Sequence, residues 1–424
     1  MLELIIVTVF ICGYLAIAFE HPLKINKAAS ALLTCAVCWS LYSFSIVDKD
    51  MVSEVLLDNM SEILGILIFL LGAMSIVEAI DSYDGFRIIT DRIKTTNKRK
   101  LIWTVSLITF FLSAVLDNLT TTIVLISLLR KLVAKRRTRL IMAGMIIIAA
   151  NAGGAWTVIG DLTTTMLWIG KQITAVEIMG ELLLPSLVCM LIPLILLTIT
   201  AKGNVRTPPL KNISVTQGVT VRERNTIFFL GIGALLFVPV FKSVTHLPPF
   251  MGILFGLSVM WIYMEYVSHK RPSNEQYRYA MLHAIRRVDM SSVFFFMGIL
   301  LCITTLKEIG MLDKVTYWLD HTVKNHNIII MLIGVLSAIV DNVPLVAATQ
   351  AMYSFPTDHA FWDFIAYCAG TGGSMLIIGS AAGVAAMGIE KIDFIWYLRN
   401  ISWLAFCGFL GGALVYLLQS VLTG

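Results

Sequence analysis

The stretch LIWTVSLITFFLSAVLDNLTTTIVLISLL, Leu101 to Leu129, decides how the rest of this chain is read. Its one charged residue is Asp117, inside LSAVLDNLTTT (Leu112 to Thr122). Ahead of it, residues 84–100 hold Arg87, Arg92, Lys94, Lys98, Arg99 and Lys100; behind it, residues 130–139 hold Arg130, Lys131, Lys135, Arg136, Arg137 and Arg139. An apolar run of this length could cross a bilayer, which takes about 20 helical residues. A single crossing, however, would carry one of the two basic clusters to the outer face, and lysine and arginine near span ends gather on the cytoplasmic side. The run is therefore expected to enter the membrane and leave by the same face, as a re-entrant hairpin of about 101–129 with Asp117-Asn118 at its tip.

The remaining chain suits the same solvent. Apolar residues make up 58% and charged ones 14%, against about half and about a quarter in soluble domains, and no stretch is left for a sizeable soluble domain. Ten segments read as full crossings, at roughly 2–19, 28–46, 61–80, 140–170, 181–200, 225–241, 250–267, 291–306, 364–388 and 400–422. With the N-terminus outside, this layout puts 26 of the 32 Lys and Arg residues on the cytoplasmic side and both termini outside the cytoplasm. An acidic loop of Asp48, Asp50, Glu54, Asp58 and Glu62 then falls outside. The net charge of +5 is spread over short loops, which gives no basic patch for a nucleic acid. The first run, Leu2 to Phe19, lacks a positive leading segment and a small-residue cleavage site, so a retained span is expected. Of seven scattered cysteines, the close pair Cys35 and Cys38 would share one helix face, and it reads as packing rather than metal or redox chemistry. Trp103, Trp168, Trp261, Trp318 and Trp396 read as interface anchors.

A second stretch, LSAIVDNVPLV (Leu336 to Val346), repeats the Asp-Asn tip 224 residues later. Other features fall into register with it. FLLGAMSIVEAI (Phe69 to Ile80) matches FFMGILLCITTL (Phe295 to Leu306) at an offset of 226, and GGAWTVIGD (Gly153 to Asp161) matches GGSMLIIGS (Gly372 to Ser380) at 219. Each half contains five crossings and one hairpin. Because five is odd, the second half lies upside down, and its hairpin of about 327–353 enters from the opposite face. The expected architecture is an all-α polytopic membrane protein of two inverted-topology repeats, with ten spanning helices, two re-entrant hairpins and discontinuous helices at the transport site. Residues 1–200 form the first repeat, with its broken helix at about 140–170. A cytoplasmic linker spans 201–224, and residues 225–424 form the second repeat, with its broken helix at about 364–388. Inverted repeats with interrupted segments at matching positions mark secondary transporters whose site lies near the midplane.

Three acidic residues fall deep in these segments: Asp117, Asp161 and Asp341. A charge at mid-bilayer costs roughly 2.5–3.5 kcal/mol on insertion scales, so each is a functional candidate. The plainer alternative is a carboxyl capping a broken helix, for which Pro344 is well placed, and one group can do both. In NAGGAWTVIGDLTTT (Asn151 to Thr165), Gly153, Gly154 and Gly160 allow unwound backbone, which membranes tolerate where it is buried in protein or lines a cavity. Carboxylate, amide, hydroxyl and carbonyl oxygens together suit a hard cation; with so few carboxylates, sodium fits better than a divalent ion. Asp117, Asn118, Asp161 and Thr163 are the first candidates for the ion, with Asn151 and Thr164 beside them. Asp341, Asn342, Thr371 and Ser374 would complete or gate the site, since the second half has Ser380 where the first has Asp161. A carboxylate removed from water also binds protons readily, so one site could hold either ion.

SAVLDNLTTT and NAGGAWTVIGDLTTTMLWI resemble the NhaD-type sodium/proton antiporters of the ion transporter superfamily, and the resemblance runs over nearly the whole chain. It implies a multi-pass protein of the bacterial cytoplasmic membrane that exports Na⁺, and commonly Li⁺, in exchange for protons. It also implies no cofactor beyond the transported ions, and a homodimer in the lipid bilayer. Carried over residue by residue, it adds Ser113 and Ser337 to Asp117, Asn118, Asn151, Asp161, Thr163, Thr164, Asp341, Asn342 and Ser374; at Ser380 the correspondence weakens.

Three other functions compete. A sodium-coupled carrier of dicarboxylate or another oxyanion would favour neutral hairpin tips, whereas both tips here carry Asp. A membrane aspartyl protease pairing Asp117 with Asp341 would need Tyr-Asp and Gly-x-Gly-Asp contexts, which these two aspartates lack, since Leu116 precedes the first and Val340 the second. A channel would be excluded by coupled sodium and proton flux.

Overall fold

A membrane interior offers the backbone no water, so an apolar chain must satisfy its own amides, as a helix does. The computed structural model describes residues 2–18, 20–46, 49–93, 95–206, 219–271 and 280–423, and these form helices, with no named strand among the described residues. The first half holds α1 (Leu2–Ala18), α2 (Lys27–Ser45), α3 (Lys49–Ser82), α4 (Lys98–Ser113), α5 (Asn118–Leu132), α6 (Arg136–Gly154), α7 (Leu162–Ile169) and α8 (Ala175–Thr200). The second holds α9 (Val221–Thr245), α10 (Pro249–His269), α11 (Met290–Glu308), α12 (His326–Leu336), α13 (Asn342–Met352), α14 (Ala360–Gly372), α15 (Ala381–Glu390) and α16 (Trp403–Thr423).

Among the described residues, seven helices are long and apolar enough to cross a membrane: α2, α3, α8, α9, α10, α11 and the Phe394–Leu422 stretch that contains α16. Their outer faces carry bare apolar side chains such as Phe229, Ile262 and Leu414, as lipid contact requires. This is a multi-pass membrane protein. The seven are fewer than the ten expected crossings for a physical reason. The segments 140–170 and 364–388 are each split into two short helices, α6/α7 and α14/α15, while α1, apolar over its 17 residues, is of a length that can still cross. Asp50, Glu54 and Asp58, read from the sequence as an acidic loop, belong to helix α3. Their spacing of four residues puts them on one helix face, and at about 1.5 Å per residue the 34-residue helix is longer than a bilayer core. Trp168, expected at the interface, is buried beneath Lys242, whose ammonium lies 4.4 Å from its ring. Half of the 201–224 linker, residues 207–218, lies outside the described residues.

The helices pack in two groups. One contains α1, α2, α3, α9, α10 and α11; the other contains α4 to α8 and α12 to α16; they meet where α11 packs on α13 and α3 on α7. Within the second group α4 lies on α6 and α12 on α14. The approach is close enough to require glycine: a Cβ on Gly153 would stand 2.2 Å from the Phe110 carbonyl oxygen, and one on Gly372 2.0 Å from that of Gly334. Small residues of this kind let membrane helices associate through their backbones.

An ion triad fastens one end of this group. Glu390, at the end of α15, accepts from Arg130 Nε at 2.8 Å and Arg139 Nε at 2.7 Å, and its side chain is 1% exposed. Arg130 also donates to the Ile389 carbonyl, and Arg136 to that of Lys391. α15 is thus tied to the end of α5 and the start of α6. Breaking a buried ion pair costs about 3–5 kcal/mol. Because Arg130 is 51% exposed and keeps much of its hydration, Glu390→Ala is expected to cost about 2 kcal/mol, read as a lower midpoint in a thermal melt of the detergent-solubilised protein.

Candidate functional site

Four short helices restart inside the second group, and each begins at a polar residue. Asp117 caps α5, Asp161 caps α7 and Ser380 caps α15, each accepting from a backbone N–H of its own helix, whereas Asp341 precedes α13 without a side-chain cap bond. These caps satisfy amides that the chain breaks leave open. They also bring four polar helix starts together in the interior.

Asp161 is the centre. Its carboxylate, on a residue 2% exposed, accepts from Thr163 N at 3.1 Å. From the first interrupted pair Asn118 Nδ2 donates to it at 3.1 Å, and from the second Asn342 Nδ2 donates at 3.3 and 3.4 Å. Asn118 Nδ2 also bonds Asn151 Oδ1 at 3.0 Å, and Asn151 Nδ2 bonds the Ser380 hydroxyl at 3.0 Å. The buried Thr163 hydroxyl lies beside the same carboxylate without a hydrogen bond of normal geometry. An amide presents either NH₂ or carbonyl oxygen depending on a half-turn of its end group. Three such amides, one hydroxyl and one carboxylate therefore form a convertible oxygen set that suits a hard cation.

Two polar-lined cavities lie against α3. One, of about 640 Å³, is lined by Asn59, Lys171, Gln172, Lys307 and Gln350. Another, of about 240 Å³, is lined by Glu78, Asp81, Asp84 and Arg287 and reaches Thr120, whose hydroxyl donates to Asp117 Oδ2 at 2.7 Å.

The citrate-transporter (CitMHS) family model matches residues 14–362. Sodium/proton antiporter 1 of Arabidopsis thaliana is 46% identical over 96% of this chain and 70% of its own length. Sodium/proton antiporter 2 of the same plant is 44% identical over 96% and 97%. The Na(+)/H(+) antiporter NhaD of Alkalimonas amylolytica is 27% identical over 97% and 89%. The chain belongs to the NhaD type of the CitMHS family. That family comprises transporters, not enzymes.

In this NhaD-type chain the structure joins Asn118, Asn151, Asp161, Thr163 and Asn342. Asp117 stands apart: both its oxygens are taken by Thr120, through N–H and hydroxyl at 2.7 Å each, and it lines a small cavity with Leu116, Ile159 and Leu162. Ser113 and Ser337 spend their hydroxyls on the Ala150 and Ala369 carbonyls, at 2.7 and 2.8 Å. They position the helices and do not face Asp161. Thr164, Thr371 and Ser374 likewise donate to nearby backbone carbonyls, those of Asp161, Tyr367 and Thr371. Sequence reasoning missed Lys27, whose ammonium lies 3.4 Å from Asp341 Oδ2; a lysine at a span end carries no signal of its own. It also missed Thr157, which donates to the Ala114 carbonyl at 2.6 Å and accepts from Gly160 N. Here the signal was present, because a threonine between the glycines of an unwound segment can bond the freed backbone.

Proposed function

We propose that this protein is a secondary active Na⁺/H⁺ antiporter that exports sodium in exchange for protons by alternating access. One observation carries the reading: amides from both Asp-Asn tips converge on the single buried carboxylate of Asp161. With their NH₂ groups inward, Asn118 and Asn342 offset its charge. Turned over, they offer oxygens to a sodium ion that Asp161 and Thr163 hold, and a proton on Asp161 competes with that ion. The names of the antiporter relatives support the same ions, and Li⁺, of the same charge and hardness, is included as a substrate.

The inverted repeat belongs to this proposal. Its support is that the same bonds recur at the sequence offsets: Ser113 to Ala150 and Ser337 to Ala369, with α5 packed on α15 as α13 is on α7. The two interrupted segments are then re-entrant hairpins opening to opposite faces, and the asparagines meet where their tips do. The proposal further places both termini outside a bacterial-type cytoplasmic membrane, on the distribution of Lys and Arg, and takes the working unit as a homodimer.

The test is dequenching of a pH dye in proteoliposomes on adding Na⁺, Li⁺, K⁺, citrate or succinate. Release by Na⁺ and Li⁺ is expected. A response to citrate or succinate alone would favour the oxyanion carrier, the reading for which the matched family is named.

A further inference from the structure

The two Asp-Asn tips are alike in sequence, but their aspartates are used differently, and the cause is one residue. Asp117 caps its helix through Thr120, three residues on, using both the N–H and the hydroxyl. The corresponding residue after Asp341 is Pro344, which has no N–H and no hydroxyl. Asp341 accordingly makes no side-chain cap bond. Its carboxylate turns to Lys27, whose Nζ is 3.4 Å away and 4.3 Å from the Phe295 ring centroid. This pair joins the two packing groups: Lys27 begins α2, which packs on α1 and α11, and Asp341 precedes α13. Neither side chain is fully exposed, at 25% and 19%. Both line a cavity of about 80 Å³ that also holds Glu20, Tyr14 and Ser380, and Ser380 accepts from Asn151 in the Asp161 site.

We propose that Lys27 is a coupling residue: a tethered cation that holds Asp341 while the site carries neither sodium nor proton, and so keeps the empty carrier from crossing. Exchange requires such a restraint, since a carrier that crosses empty leaks both ions. A lysine from one helix group bound to a carboxylate of the other resists relative movement of the groups. A proton or sodium ion taken up at Asp161, to which Asn342 joins this tip, adds positive charge near the ammonium, weakens its attraction to Asp341 and frees the groups. Glu20, in the same cavity, gives the displaced ammonium another carboxylate, so release does not strand a charge. Lys27 touches no transported ion in this scheme and acts through Asp341.

The inference rests on the antiport reading, and the experiment separates the two. Purified protein is placed in liposomes loaded with a pH dye, the voltage is clamped with potassium and valinomycin, and a pH gradient is imposed without sodium. Wild type is expected to hold the gradient and to dissipate it when Na⁺ is added; if Na⁺ does nothing to wild type, it is the antiport reading that fails. Lys27→Gln is expected to lose the gradient without sodium roughly tenfold faster than wild type, a change within the range of typical coupling between states. Its ratio of sodium to proton flux should fall, while Lys27→Arg, which keeps the charge, should hold the gradient. A folded Lys27→Gln that holds the gradient at an unchanged flux ratio overturns the proposal, as does one that moves no ions at all, because lysine would then serve transport itself. If Lys27→Gln does not fold, Lys27→Met, which keeps the stem over Phe295, is read in the same way, and failure of both to fold makes the lysine structural and overturns the proposal.

Discussion

Asp161→Asn is expected to abolish sodium-driven proton release in proteoliposomes while leaving the protein folded and monodisperse. The substitution keeps the size of the side chain and retains an oxygen that can accept from Thr163 N, so α7 keeps its cap. What it removes is the one formal charge on which Asn118 and Asn342 converge. Losing one partner of a buried charge interaction costs about 3 kcal/mol or more, about a hundredfold in ion affinity. Asn118→Ala and Asn342→Ala each remove one amide and leave the carboxylate, so their effect should be smaller and should fall mainly on the sodium concentration needed for half-maximal response. An Asp161→Asn protein that exchanges normally would remove the carboxylate from the mechanism and with it the reading of this site.

The interruptions were legible because their chemistry is local. Asp-Asn in an apolar run favours a restart because an Asp side chain caps the next helix, and glycines make unwound backbone cheap; the breaks appear beside these residues. Which carboxylate the breaks share was not legible. The bonds that settle it join Asn118 to Asp161 and Asn342 to Asp161, across 43 and 181 residues, and no period or spacing encodes such a pairing. The acidic segment Asp50 to Asp58 misled for a related reason: its polarity resembles a loop, while its four-residue spacing is that of a helix that outruns the bilayer. Glu390 lies at the end of α15, where a carboxylate ordinarily stays in water; arginines from α5 and α6 bury it. Pro344 was readable as a helix starter. Its other consequence, that it deprives Asp341 of the cap partner Thr120 gives Asp117, emerges only when the two tips are compared bond by bond.

Asp117→Asn and Asp117→Ala are expected to part in stability and agree in transport. Asparagine is as good an N-cap as aspartate, whereas alanine forfeits about 1 kcal/mol, so only the alanine variant should melt early. In both, sodium-driven exchange should fall by about tenfold. Asp117 makes no hydrogen bond to Asp161, its oxygens being held by Thr120, yet it is near enough to act on it electrostatically. At the effective dielectric of protein interiors a nearby charge is worth on the order of 1–2 kcal/mol, which is about tenfold in cation affinity. Asp117 also lines the cavity bounded by Leu116, Ile159 and Leu162, and its partner Thr120 faces the larger one bounded by Glu78 and Asp81. Beside these cavities, its charge is expected to attract a cation toward Asp161 without holding it. If Asp117→Asn exchanges like wild type while Asp117→Ala only melts early, Asp117 is a helix cap alone and the cation's attraction inward comes from Asp161 without it.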